Sequence, residues 1–293
     1  MDKQFHELLQ GCLNLGWGER VDRPLFRSLE IRWASGVLNG CRPDADDLIA
    51  MAPACTLPSL VARREDAYAL THTLFYATDF GAYPLPDCVS TQRVTASLDA
   101  LLAWQLWEDD LDLVGELLAA AYACALPSRY SDMALTAVWS ELNRPVVRGP
   151  FAAHIRHRMN SIYDVEVFGS CYHTTLVAGI LCATYLAAPP VNSPQNQTPG
   201  PDRALVTEEA LESLRLVNQP ERLSASWVTG IDGVLEPTQT VIACVLDGAL
   251  ASAYRADDLR TVAVLHQRLK RYGVTTATSL AAAVALDFRT RHG

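Results

Sequence analysis

The chain is expected to be all-α, and three observations lead there. Apolar residues recur at three- and four-residue steps in one segment after another, the spacing that lines one face of a helix. Ser, Asp or Pro opens these segments and Pro or Gly follows their ends, as helix capping requires. Period-two alternation, the mark of a half-buried strand, is confined to a hint at residues 226–229. About a dozen helices joined by short connections favour antiparallel pairs, which close into an α/α toroid or continue as a curved helical solenoid. The toroid is the expected form.

In chain order, residues 2–13 give a short amphipathic helix, and a turn at Gly16-Trp17-Gly18 follows. Pro24, suited to a first turn, opens a second helix with Leu25, Leu29, Trp33 and Leu38 as its buried stripe. Asp44 caps a short helix that Pro53 ends. The stretch from Asp66 to Gly81 is the next, and Pro84 and Pro86 prevent its resuming. Ser90 caps a helix to Trp107, and the acidic run at 108–112 supplies the negative first turn of another, stopped by Pro127. Further helices are expected at 131–143, 151–162, 170–187, 207–217, 237–254, 257–272 and 275–290.

The segment rich in Pro, Asn and Gln from Ala188 to Pro201 has little to bury. The expected organisation is therefore a helical domain over 1–187, a flexible connection over 188–206, and C-terminal helices over 207–293 packing on the same domain.

Composition narrows the function. The chain has 293 residues, 49% of them hydrophobic, enough for a substantial core. Its net charge of −9 comes without a basic cluster, so nucleic acid is not an expected partner. No apolar run reaches membrane-spanning length, and the first residues lack signal-peptide order, so a cytoplasmic protein with no membrane partner is expected. Eight cysteines without a C-x-x-C pair read as small buried hydrophobes in a reducing compartment. Arginine far outnumbers lysine, found only at Lys3 and Lys270, and this reads as a GC-rich, actinobacterial coding bias.

Two stretches mix core residues with polar ones at helical spacing. In the first, Tyr68, His72, Phe75, Tyr76 and Asp79 share one broad face with Thr71 beside it. The second, Cys171-Tyr172-His173-Thr174-Thr175-Leu176, repeats the Tyr, His, Thr and Leu types. Thr238-Gln239-Thr240-Val241 is a fainter echo, and all three suit inner helices facing one cavity. His72 and His173 each interrupt an apolar helix, so as a pair they can act as general acid and base. The expected catalytic residues are His72, His173 and Asp79. Tyr68, Thr71, Phe75, Tyr76, Tyr172, Thr174 and Thr175 are the expected substrate contacts. As satisfied core histidines, the same pair would have a purely structural role.

No cofactor is expected. The alternative is zinc on His72, Cys171 and His173, with water completing the site. Asp79 is unsuited as a third ligand, since seven residues place it about 10.5 Å from His72 along a regular helix. Asp79-Phe80-Gly81 spells the kinase magnesium tripeptide, yet its companion motifs are missing. Glu108 to Asp112 reads as a solvated helix N-terminus rather than a diphosphate box. Arg156 and Arg158, beside His154 and His157, read as an exposed polar face, and Trp104, Trp107 and Trp139 read as core. No P-loop, dinucleotide fingerprint, nucleophile elbow or zincin motif occurs.

The Asp66 to Gly81 stretch and the Cys171 to Leu176 stretch resemble those of a poorly characterised family of helical actinobacterial proteins associated with specialised-metabolite gene clusters. The resemblance spans residues 20–187. Where that pattern has Gln-x-x-Asp-Gly between the motifs, this chain has Ser140-Glu141-Leu142-Asn143-Arg144-Pro145. The resemblance implies a biosynthetic setting and supplies no reaction.

The function expected is a tailoring enzyme of natural-product or modified-peptide biosynthesis, with the histidine pair transferring protons on a small-molecule or peptide substrate. A non-catalytic helical scaffold for a peptide, carrier protein or biosynthetic partner is the first alternative. A zinc-dependent cyclising or transfer enzyme is the second.

Overall fold

The structure is a computed structural model that describes residues 25–39, 60–87, 89–126, 128–142, 164–188 and 239–292, with Glu7, Gln10 and Gly11 as helical positions near the start. Nine helices and no strand occur among these residues: α1 (Leu25–Asn39), α2 (Arg64–Thr78), α3 (Thr91–Trp107), α4 (Leu111–Ala123), α5 (Ser131–Leu142), α6 (Asp164–Ala187), α7 (Gln239–Arg255), α8 (Leu259–Arg271) and α9 (Ala277–His292). The protein is all-α. The helices expected at 44–52, 151–162 and 207–217, the connection at 188–206 beyond Ala188, the strand hint at 226–229 and the His154 to Arg158 face lie outside the described residues.

The caps follow from local chemistry. Ser90 accepts from the Arg93 N–H, Asp110 from Leu113 and Asp258 from Thr261, each meeting a first-turn donor that the helix leaves unpaired. Asp66 reaches back to the Arg63 N–H at 2.8 Å and fixes the start of α2. That helix ends because Asp79 and Phe80 turn left-handed, at φ 49° and 53°, before Gly81 at φ 91°. Two boundaries differ from the sequence expectation by more than two residues. Helix α4 stops at Ala123, ahead of Pro127, because Ala125 turns left-handed at φ 51°. Helix α6 begins at Asp164 and runs through Gly169 and Ser170, since 24 residues of helix tolerate the roughly 1 kcal/mol that an interior glycine costs.

Helix α2 lies between α1 and α4, and α4 lies between α2 and α6. Helices α3 and α5 also pack on α4, while α7 and α9 pack on α3 with α8 against both. One continuous core joins Leu70, Leu98, Leu117, Tyr130, Leu181, Leu246 and Leu265. Trp104 and Trp107 are buried as expected, but Trp139 is 44% exposed. It falls on the side of α5 opposite Met133, Ala134, Ala137 and Val138, which take the inward face.

Two polar contacts tie the C-terminal helices to the rest. Arg255 lies 3.5 Å over the Trp104 ring and donates to the Ala62 carbonyl from Nε and Nη2, at 3.1 and 2.7 Å. Burial lowers its guanidinium to about 10. Asp247, 1% exposed, accepts from the hydroxyls of Tyr130 and Thr276 at 3.0 and 2.6 Å. Desolvation still pushes its carboxyl up to about 6.

Arg255→Lys keeps the charge but loses the flat stacking group and the two-pronged carbonyl contact. It should destabilise the fold by about 1–3 kcal/mol, read as a lower urea midpoint at unchanged slope. Asp247 binds its proton more tightly in the fold than at its ordinary value of 3.8, so the stability it lends is full below that value and is lost as pH rises through about 6. Asp247→Asn, whose amide oxygen accepts from one hydroxyl while its NH2 donates to the oxygen of the other, should remove on the order of 2 kcal/mol of the stability change between pH 4 and 7 in denaturation curves at the two values.

Candidate functional site

Helix α4 begins with an apolar sequence interrupted by two carboxylates one turn apart, Asp112 and Glu116. Every residue from Leu111 to Ala121 is buried, so neither carboxylate has a water-facing side of the helix to occupy. Each instead meets polar side chains from the helices on either flank. Gly115, between them, lets α6 approach closely: a Cβ there would lie 2.8 Å from Val177 Cγ1.

From α2, the Tyr68 hydroxyl donates to Asp112 Oδ2 and the Thr71 hydroxyl to Glu116 Oε2, both at 2.6 Å. From α6, His173 spans the pair, with Nδ1 at 2.9 Å from Asp112 Oδ1 and Nε2 at 3.6 Å from Glu116 Oε1. Thr174, buried beside it, adds a hydrogen bond to Asp112. His72 completes the group: its Nδ1 lies 2.9 Å from the Tyr68 carbonyl and 3.6 Å from Glu116 Oε2. A carbonyl only accepts, so Nδ1 carries the proton and Nε2 keeps its lone pair. His173 has 44% of its side chain exposed and His72 has 18%, so the cluster opens to solvent on the α6 side.

The electrostatics follow from burial and from partner count. Burial pushes the Glu116 carboxyl up to about 7, with Asp112 adding repulsion and only the Thr71 hydrogen bond and the more distant His173 and Arg64 opposing. Burial acts on Asp112 too, but hydrogen bonds from Tyr68, His173 and Thr174 outweigh it and hold that carboxyl below its ordinary value. Burial lowers His72 and keeps its imidazole neutral at pH 7. Arg64 gives its guanidinium first to Asp110 at 2.7 Å and stands 3.8 Å from Asp112.

The structure thus brings His72 and His173 to one place, together with Tyr68, Thr71 and Thr174. Asp79 is not among them; it accepts from the Trp33 indole at 2.7 Å at the far end of α2. Phe75 stacks on Phe80 at 5.0 Å, and Tyr76 lies against His72 at 5.9 Å while bonding Glu30. Tyr172 and Thr175 face outward. The Cys171 side chain lies outside the described ones, and the set with ligand atoms mutually within 4.8 Å is Asp112, Glu116 and His173.

The acidic run was expected to be solvated, and the structure corrects that: Asp110 and Asp112 are 6% exposed, because α4 is enclosed by its neighbours. Glu116 drew no notice in the sequence. A single charge inside Leu113-Val114-Gly115-Glu116-Leu117-Leu118, four residues after an aspartate, is the signal that marks it.

A family model described as a domain of unknown function, DUF6895, matches residues 1–183. The chain belongs to this family. The matched span includes α2, α4 and His173 of α6, hence the whole cluster, and stops before α7 to α9. No curated protein and no solved structure matches the chain.

Thr71→Val removes the hydroxyl from Glu116 and keeps the volume. At pH 8, where Glu116 is ionised, the variant should lose about 1–2 kcal/mol of stability. At pH 5 the carboxyl is protonated and the loss should shrink, as urea curves at both values would show.

Proposed function

We propose that this protein is an enzyme that moves a proton on a small-molecule or peptide substrate bound at the His72, Glu116 and His173 cluster. The observation that carries the reading is the convergence of two histidines, from α2 and α6, on the buried carboxylates of α4. Neutral His72, with Nδ1–H held by the Tyr68 carbonyl, offers Nε2 as the base. His173, oriented by Asp112 and open to solvent, passes protons between the cluster and water. Thr71 and Tyr68 keep the carboxylates in place.

Natural-product and modified-peptide intermediates, the substrates suggested by the motif resemblance, are the first to test. A cytoplasmic location and the closing of helix pairs into a toroid belong to the same proposal. Among the described residues, no helix is long and apolar enough to cross a membrane.

The rival reading is a scaffold without catalysis, favoured by the large apolar side chains on the outside of α6. Tyr172, Leu176 and Leu186 are 48%, 60% and 82% exposed, the kind of surface a partner protein covers.

Conversion assays against panels of such intermediates, read by mass spectrometry, separate the two. His72→Ala and His173→Ala should each lower conversion at least about 100-fold, while thermal melting stays within a few degrees of the parent. Equal loss of folding in both variants would assign the histidines to the core, and a wild-type protein that binds but converts nothing would support the scaffold.

A further inference from the structure

The buried carboxylates of α4 have more negative charge than the described residues around them neutralise. Asp112 and Glu116 sit one helical turn apart, on the same face, inside a helix enclosed on all sides. Arg64 is committed to Asp110. The closest groups that can carry positive charge beside Glu116 are the two imidazoles, each at 3.6 Å, and of these His72, lowered by burial, supplies none at pH 7. Two adjacent carboxylates in a desolvated setting are costly unless protons or a cation join them.

The donor atoms suit a cation. One oxygen from each carboxylate and one ring nitrogen of His173 lie within 4.8 Å of one another, so a small inward turn of the side chains brings them to the roughly 2.0–2.2 Å that zinc takes from each ligand. The outer contacts are those a metal centre uses to orient its ligands. The Tyr68 hydroxyl and Thr174 hold Asp112, and the Thr71 hydroxyl holds Glu116. They engage the carboxylates from α2 and α6, leaving further lone pairs on each oxygen pair. Half-exposed His173 gives the ion a way in and leaves room for water or substrate. An imidazole beside two carboxylates favours a first-row transition ion over magnesium or calcium, which prefer oxygen alone.

We propose that Asp112, Glu116 and His173 bind one divalent first-row transition ion, with zinc as the reference ion. The inference rests on the functional reading of the same cluster: the ion replaces the proton on Glu116 and occupies the His173 nitrogen that otherwise passes protons, and His72 remains the base beside it. The bound ion would act as a Lewis acid on a substrate oxygen or on water.

The test is isothermal titration of chelator-treated protein with zinc chloride, with cobalt(II) absorption as a second probe. One zinc per chain is expected. Glu116→Gln and His173→Gln should each weaken binding at least about 100-fold, and Tyr68→Phe by about 10-fold or more. Circular dichroism checks that each variant is folded. The cobalt spectrum of the wild-type protein does not depend on variant folding, and there nitrogen and oxygen ligation without a thiolate-to-cobalt band is expected. Binding unchanged in Glu116→Gln and His173→Gln, a thiolate band that places the ion on cysteines, or no uptake at all would each overturn the inference. Conversion that survives chelation yet is lost in His72→Ala would remove the metal and keep the acid–base reading. Zinc held at the cluster by a protein that converts nothing would do the reverse.

Discussion

The enclosure of α4 is the constraint on which the rest of this structure depends. A helix buried from Leu111 to Ala121 has no solvent side on which to place a charge, yet it carries Asp112 and Glu116. Leaving either without partners would cost several kcal/mol, comparable with the whole stability of a domain. The neighbours must therefore supply polar groups at the right height, and they do: Tyr68 and Thr71 from α2, His173 and Thr174 from α6. The packing of three helices and the chemistry of the site are one arrangement.

A second buried carboxylate shows what distinguishes the α4 cluster from a closed polar contact. Asp247 is also desolvated, but it is satisfied by two hydroxyls, Tyr130 and Thr276, from opposite sides. No described histidine or second carboxylate bonds to it, and the group is closed to solvent. Such an arrangement ties α7 to Tyr130, just ahead of α5, and to Thr276, just ahead of α9. The α4 cluster gathers two carboxylates, two imidazoles and the Tyr68 hydroxyl, and reaches the surface through His173. Buried groups with several protonation states and access to solvent are where proton transfer or metal binding becomes practicable.

The C-terminal helices contribute by support. Arg255 crosses from α7 to stack on Trp104 of α3 and to hold the Ala62 carbonyl just ahead of α2, so it links the helix behind α4 to the segment that leads into the histidine-bearing helix. The span matched by the family ends within α6. Of the described helices beyond it, α7 and α9 pack on α3, and α8 packs on those two.

The all-α class and most helix limits were legible because they are local: apolar spacing, capping by Ser90 and Asp258, and left-handed or proline stops depend on neighbours within a few positions. The histidines were legible too, since a polar ring in an apolar helix stands out in one dimension. Their partners were not. Asp112 sits in an acidic run that, read alone, belongs to water, and Glu116 is one letter in a hydrophobic stretch. Both acquire their character only when α2 and α6 close over them, because burial and charge pairing are properties of distances between segments 44 to 61 residues apart. By itself the sequence determined where helices form and which polar residues lie on them; tertiary packing decided which of those residues meet, since desolvation acts on what is brought together in space.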